Sequence, residues 1–159
     1  MARDMYLKLA GIKGESEDSV HKDEIEIESF TFGVHQVGTS QTGGGGGAGK
    51  ASFSDIVFQK RADVSSPLLM QACATGQHIA TANLTVRKAG GKQEEYYKIK
   101  FTDILVSSFQ NAGEHDEIPV ESLGLNYAKI EFEYYPQKGD GTLGGVSKAG
   151  YDLKRNVKV

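Results

Sequence analysis

The most constraining feature of this chain is an alternation of apolar and polar residues that twice reverses its phase. Between Glu24 and Val37, Ile25 and Ile27 fall on one parity, whereas Phe30, Phe32 and Val34 fall on the other. Leu123, Leu125 and Tyr127 likewise share one parity, and Ile130, Phe132 and Tyr134 share the other. Alternation with a period of two marks a strand with one buried face. A slip of one residue turns every side chain over, so each reversal calls for a bulge, one near Ser29 and one near Ala128. As one strand, residues 24–37 would extend about 45 Å, against a usual length of about 17–20 Å. Such a strand bends from one sheet into another, or reaches beyond the core of its own domain.

Other segments repeat the pattern. Met5, Leu7 and Leu9 alternate with Tyr6 and Lys8, and Ser52–Lys60 is rich in β-branched and aromatic residues. Ala82, Leu84 and Val86 lead through the turn Ala89-Gly-Gly-Lys92 to Tyr97, Ile99 and Phe101. Asn111 to Asp116 reads as a polar turn, Pro136 to Gly150 as a long loop, and Tyr151 to Val159 as a last edge strand. The helical signal is confined to one place. Ser65 or Ser66 caps it, Pro67 suits its first turn and Gly76 ends it, with Leu69, Ala72 and Cys73 on one face. Seven or eight strands and one short helix predict a mainly β fold: a small antiparallel β-barrel of two sheets, in one domain over residues 1–159.

Composition excludes several classes. A net charge of −3 gives no general attraction for nucleic acid or anionic membrane. No apolar run approaches the roughly 20 residues of a membrane span. The N-terminal residues lack the apolar core of a signal peptide, so any export is expected without a cleaved signal. The one cysteine, Cys73, forms no intrachain disulfide, which fits cytoplasmic folding. Gly11 to Glu28 carries seven acids and His21 and reads as a solvated loop running into a strand, without metal-ligand spacing. None of His21, His35, His78 and His115 lies in a catalytic or metal-binding motif. We therefore expect no catalytic residue, metal or cofactor.

One motif invites a different reading. From Gly44 to Lys50 the chain spells G-x-x-x-x-G-K, the core of a phosphate-binding loop. That loop needs Ser or Thr next and a helix after it; here Ala51 and a strand-like segment follow. A flexible glycine loop is the simpler assignment.

Phe30, Phe32, Ile130, Phe132 and Tyr134 offer more apolar strand surface than one side of a sheet hides. Burying each large side chain is worth about 1.5–3 kcal/mol, and long exposed edges invite aggregation. Coverage by neighbouring copies is the economical solution, making Phe30, Phe32, Ile130 and Phe132 candidate subunit-interface residues. A small-ligand-binding β-barrel remains the alternative.

An ordered set of segments then becomes informative. Gly14-Glu-Ser16 with His21 and Glu24-Ile25, Gly49-Lys50, Lys60 through Ser66-Pro67, and Ala72-Cys-Ala-Thr-Gly76 resemble the haemolysin-coregulated protein (Hcp) family. Leu84-Thr-Val-Arg-Lys88, Leu105-Val-Ser-Ser108, Leu125-Asn-Tyr-Ala128 and Tyr151-Asp-Leu-Lys154 follow in the same order and spacing. The resemblance covers essentially the whole chain. It implies a subunit of the type VI secretion inner tube, a hexameric ring that stacks on itself and carries small effectors in its lumen. Sheath and spike proteins are the implied partners, and the implied location is cytoplasmic before assembly and secreted afterwards. In that setting Gly43, Gly44, Gly45, Gly46, Gly47, Gly49 and Lys50 are candidates for a ring-stacking loop, since glycine permits close backbone approach. Thr31, opposite in parity to Phe30 and Phe32, is the candidate cargo contact in the lumen.

Overall fold

The computed structural model describes residues 3–36, 38, 50–88 and 92–159. Among them are eleven strands and one helix. The strands are β1 (Arg3–Leu9), β2 (Ile25–Glu26), β3 (Ser29–Thr31), β4 (Val34–His35), β5 (Ser52–Phe53), β6 (Ile56–Arg61), β7 (His78–Lys88), β8 (Glu95–Ala112), β9 (Val120–Tyr134), β10 (Ser147–Asp152) and β11 (Val157–Lys158). Helix α1 spans Ser66–Thr75.

Every strand pairing is antiparallel, and two long strands belong to two sheets. The first half of β9 pairs with β6, and its second half pairs on the same side with β10. Its other side runs against β8 throughout. One sheet is therefore β2-β1-β7-β8-β9-β10-β11, and the other is β3-β6-β9-β8.

The corner between the sheets is a single line across three strands. Buried positions change parity from Ile79 to Ala82 in β7, from Phe101 to Ile104 in β8, and from Tyr127 to Ile130 in β9. Asp103 marks the line with a φ of 54°, a left-handed conformation that Asp tolerates better than most residues. The reversal expected near Ala128 is thus one third of a shared fold line. The β8–β9 ladder keeps its register across Ala128, so the bulge expected there is absent; the register shift lies between Val106 and Ser108 and turns both Ser107 and Ser108 to solvent. Gly124 lies beneath it, where a Cβ would sit 2.3 Å from Ser108 Oγ.

The reversal near Ser29 is a change of partner. Ile25 and Ile27 are buried beside β1; Ser29 then pairs with Gln59 of β6. The strand expected over residues 24–37 is therefore divided among β2, β3 and β4, and Val37 lies outside the described residues. Ser52–Lys60 is likewise cut in two at Ser54 and Asp55, and β10 begins inside the expected loop, at Ser147. These breaks raise the strand count above seven or eight.

The interior between the sheets is filled by side chains such as Leu7, Ile25, Phe58, Leu84, Phe101 and Leu123. That packing leaves a ligand-binding barrel no internal site in this region. Helix α1 closes the core with Leu69 and Ala72, and half-buried Cys73 packs beside them. Its Ser65 N-cap makes no side-chain cap bond, while Gly76 closes the helix in the left-handed conformation at φ 66°. Beneath the helix start, Lys60 and Glu121 form a fully buried pair at 2.5 Å.

Candidate assembly and cargo surface

Cross-strand partners share a face, so register alone assembles the outer surface of each sheet. On the β3-β6-β9-β8 sheet, one row reads Ser29, Gln59, Ser122 and Gln110. The next reads Thr31, Val57, Gly124 and Ser108. Neither row contains a charged residue. Gln59 Nε2 donates to Ser122 Oγ at 3.2 Å, and Thr31 is exposed on the side opposite to half-buried Phe30.

The other sheet has a different outer face. Its rows read Lys8, Asn83, Lys100 and Glu131, then Tyr6, Thr85, Lys98, Glu133 and Lys148. Lys148 pairs with Glu133 at 3.4 Å and Lys98 with Glu95 at 3.3 Å. The subunit thus presents one surface with two charge-free rows, bordered along β6 by Asp55 and by the exposed Arg61–Glu28 ion pair, and one charged face.

Part of the charged face is covered. Residues 13–24 fold back over β1 and β7 and bury Tyr6, Ser16, His21, Thr85 and Arg87. The guanidinium of Arg87 donates to both oxygens of Asp18, at 2.5 and 3.0 Å, and to the Tyr6 hydroxyl at 3.1 Å. That pairing, reinforced by backbone N–H donors of Val20 and His21, holds the Asp18 carboxyl well below the usual range, against its partial burial. The expectation of a simply solvated loop is therefore corrected: polar anchors strap the segment to the sheet. Burial raises the Tyr6 phenol, despite the nearby Arg87.

The short hairpin β4–β5 carries the base of the glycine loop. Val34 pairs with Phe53 and His35 with Ser52. Phe53 stacks on Tyr151 with ring centres 5.4 Å apart, fixing that base to β10.

Comparison with known proteins assigns this architecture. The profile described as "Type VI secretion system effector, Hcp" matches residues 6–134. This chain belongs to the Hcp family. The Hcp relative "Protein hcp1" of Pseudomonas aeruginosa is 44% identical over 162 residues and covers both chains completely. The crystal structure of Hcp1 from Salmonella typhimurium superimposes with a TM-score of 0.82 at 37% identity over all of both chains. A structure titled "Structure of a type six secretion system protein" reaches a TM-score of 0.94 at 33% identity, over 99% of this chain and 100% of that one. No helix among the described residues is long and apolar enough to cross a membrane.

Within this Hcp fold the candidate residues take definite places. Phe30, Phe32 and Phe132 are half-buried around Tyr97, with ring-centre distances of 5.6 Å for Phe30–Tyr97, 4.8 Å for Tyr97–Phe132 and 6.4 Å for Phe32–Phe132. Ile130 is buried in the core and leaves only 6% of its surface exposed. The second sheet absorbs much of the apolar surplus, because the phase reversal turns these residues back inside. Lys50 is exposed; Gly43, Gly44, Gly45, Gly46, Gly47 and Gly49 lie outside the described residues. Ala51 leads into β5 rather than a helix, which removes the phosphate-loop reading. The neutral face was missed in the sequence. Val57 and Gln59 are uncharged positions between Asp55 and Arg61, and only register brings them and Ser122 beside Thr31.

Proposed function

We propose that this chain is the ring-forming subunit of a type VI inner tube, with residues 1–159 acting as one Hcp-like barrel. Six copies close a ring, rings stack, and the neutral face lines a lumen that carries small effectors. Sheath proteins outside and a spike at the tip are the partners, and export follows assembly in the cytoplasm. The observation that carries the cargo assignment is the pair of charge-free rows centred on Thr31, Gln59 and Ser122. A wall of short hydroxyls and amides offers hydrogen bonds without committing to cargo of one charge. The exposed remainders of Phe30, Phe32 and Phe132 contribute to the contacts between neighbours, and the Gly43–Lys50 loop contacts the next ring. The test is Thr31→Gln, with effector co-purification as readout. Rings form as before and effector retention falls; retention equal to the parent refutes the lumen assignment.

A further inference from the structure

His21 is 5% exposed, yet it carries no part of the assembly reading above. Its ring stacks on Tyr6 with centres 4.5 Å apart and an interplanar angle of 6°. Nδ1 lies 2.9 Å from Glu24 Oε2, and Nε2 lies 2.6 Å from Glu95 Oε1. An ionised carboxylate only accepts hydrogen bonds, so each contact requires an N–H on the ring. An imidazole supplies two only when it carries both protons. Facing the site are Asp4 and Tyr6 from β1, Glu26 from β2, Arg87 from β7, Glu95 and Lys98 from β8, and Asp18 and Glu24 from the strap itself. Carboxylates outnumber the fixed cations Arg87 and Lys98.

We propose that His21 is a proton-operated latch for the strap over residues 13–24. With both ring protons in place it ties Glu24 of the strap to Glu95 of β8. Loss of one proton turns a ring lone pair toward a carboxylate, and that tie fails. The strap is therefore closed while the ring holds both protons and loosens as rising pH removes one.

The second tie does not follow. The Arg87–Asp18 pair stays ionised when the ring loses that proton, because Asp18 is held low. Opening is therefore local. It affects the strap's own ladder, in which Gly14 N donates to Asp23 O at 2.8 Å, Asp23 N to Ser16 O at 2.8 Å and Ser16 N to Glu24 O at 3.1 Å. The outward side of the strap carries Lys13, Glu15, Glu17 and Lys22 together with Val20, which is 68% exposed. External pH thereby changes the surface that the subunit shows to a neighbour without disturbing the barrel.

Amide exchange of the full chain at about pH 6 and about pH 8.5, corrected for intrinsic rates, tests the latch on either side of neutrality. Protection at Gly14, Ser16, Asp23 and Glu24 is expected to fall about tenfold relative to Phe101 and Leu125, the scale of one lost charge-assisted bond. Glu95→Gln is the second variant. It leaves the ring with one anionic partner and moves the midpoint of the transition to lower pH, while His21→Gln abolishes the pH dependence. Strap protection that is constant across pH, or a midpoint unmoved by Glu95→Gln, overturns the proposal.

Discussion

Replacing Lys60 by Met probes the junction where the second sheet meets helix α1. Lys60 and Glu121 are each fully buried and 2.5 Å apart. Lys60 Nζ also donates to Asp63 Oδ1 at 3.1 Å and to Arg61 O at 3.0 Å. Glu121 accepts from Ser66 at 2.8 Å and from Asn111 at 2.6 Å. Methionine fills similar space but leaves a buried carboxylate with two neutral donors. Breaking a buried pair in this way costs about 3–5 kcal/mol. Glu121→Gln is milder, at about 1.5–3 kcal/mol, because Lys60 keeps Asp63. Urea unfolding at fixed protomer concentration reads both changes. With a slope near 2 kcal/mol per molar urea, Lys60→Met lowers the midpoint by about 1.5–2.5 M. The double variant Lys60→Met with Glu121→Leu removes both charges and recovers most of the loss. A cost below about 1 kcal/mol for Lys60→Met, well under the range for a broken buried pair, refutes the reasoning. So does a larger cost for Glu121→Gln than for Lys60→Met.

Other perturbations separate the strap from the barrel. A Cβ at Gly14 would sit 2.5 Å from Glu24 O and 2.7 Å from Ile25 Cα, both backbone atoms that cannot swing away. Gly14→Ala is expected to cost about 1–3 kcal/mol in thermal or urea unfolding, and to raise proteolysis within residues 13–24 before the core opens. Tyr127 is buried and donates to Ser54 O at 2.9 Å, and desolvation pushes its phenol up to about 12. A phenol whose value is raised in the folded state contributes fully below its ordinary value near 10. That contribution is lost as pH rises through about 12. Alkaline unfolding of Tyr127→Phe is therefore less steep than that of the parent, and equal slopes contradict the assignment.

Much of the barrel was legible because its signals are local. The reversals near Ser29 and Ala128 lie within short windows, and Pro67 and Gly76 bracket the helix. The matching reversals at Ala80 and Asp103 were harder to see. Ile79 stands alone before its strand continues, and Asp103 turns over the chain through its backbone rather than through an obvious glycine. The strap was illegible for a different reason. His21 meets Glu95 across 74 residues and Asp18 meets Arg87 across 69, so a local reading sees only a polar loop. Ile130 shows the opposite error. Its parity, judged against Tyr127, suggested a spare face, yet the corner at Ala128 returns it to the core.

The central claim is that this subunit closes into rings and that its glycine loop joins one ring to the next. Native mass spectrometry of the full chain, with electron microscopy of the same sample, tests it most directly. The account predicts a species of six 17.2 kDa chains and stacked rings, with single rings alone when Gly43–Gly47 is deleted. A stable monomer at micromolar concentration contradicts the ring, and undiminished stacking after the deletion contradicts the role of the loop.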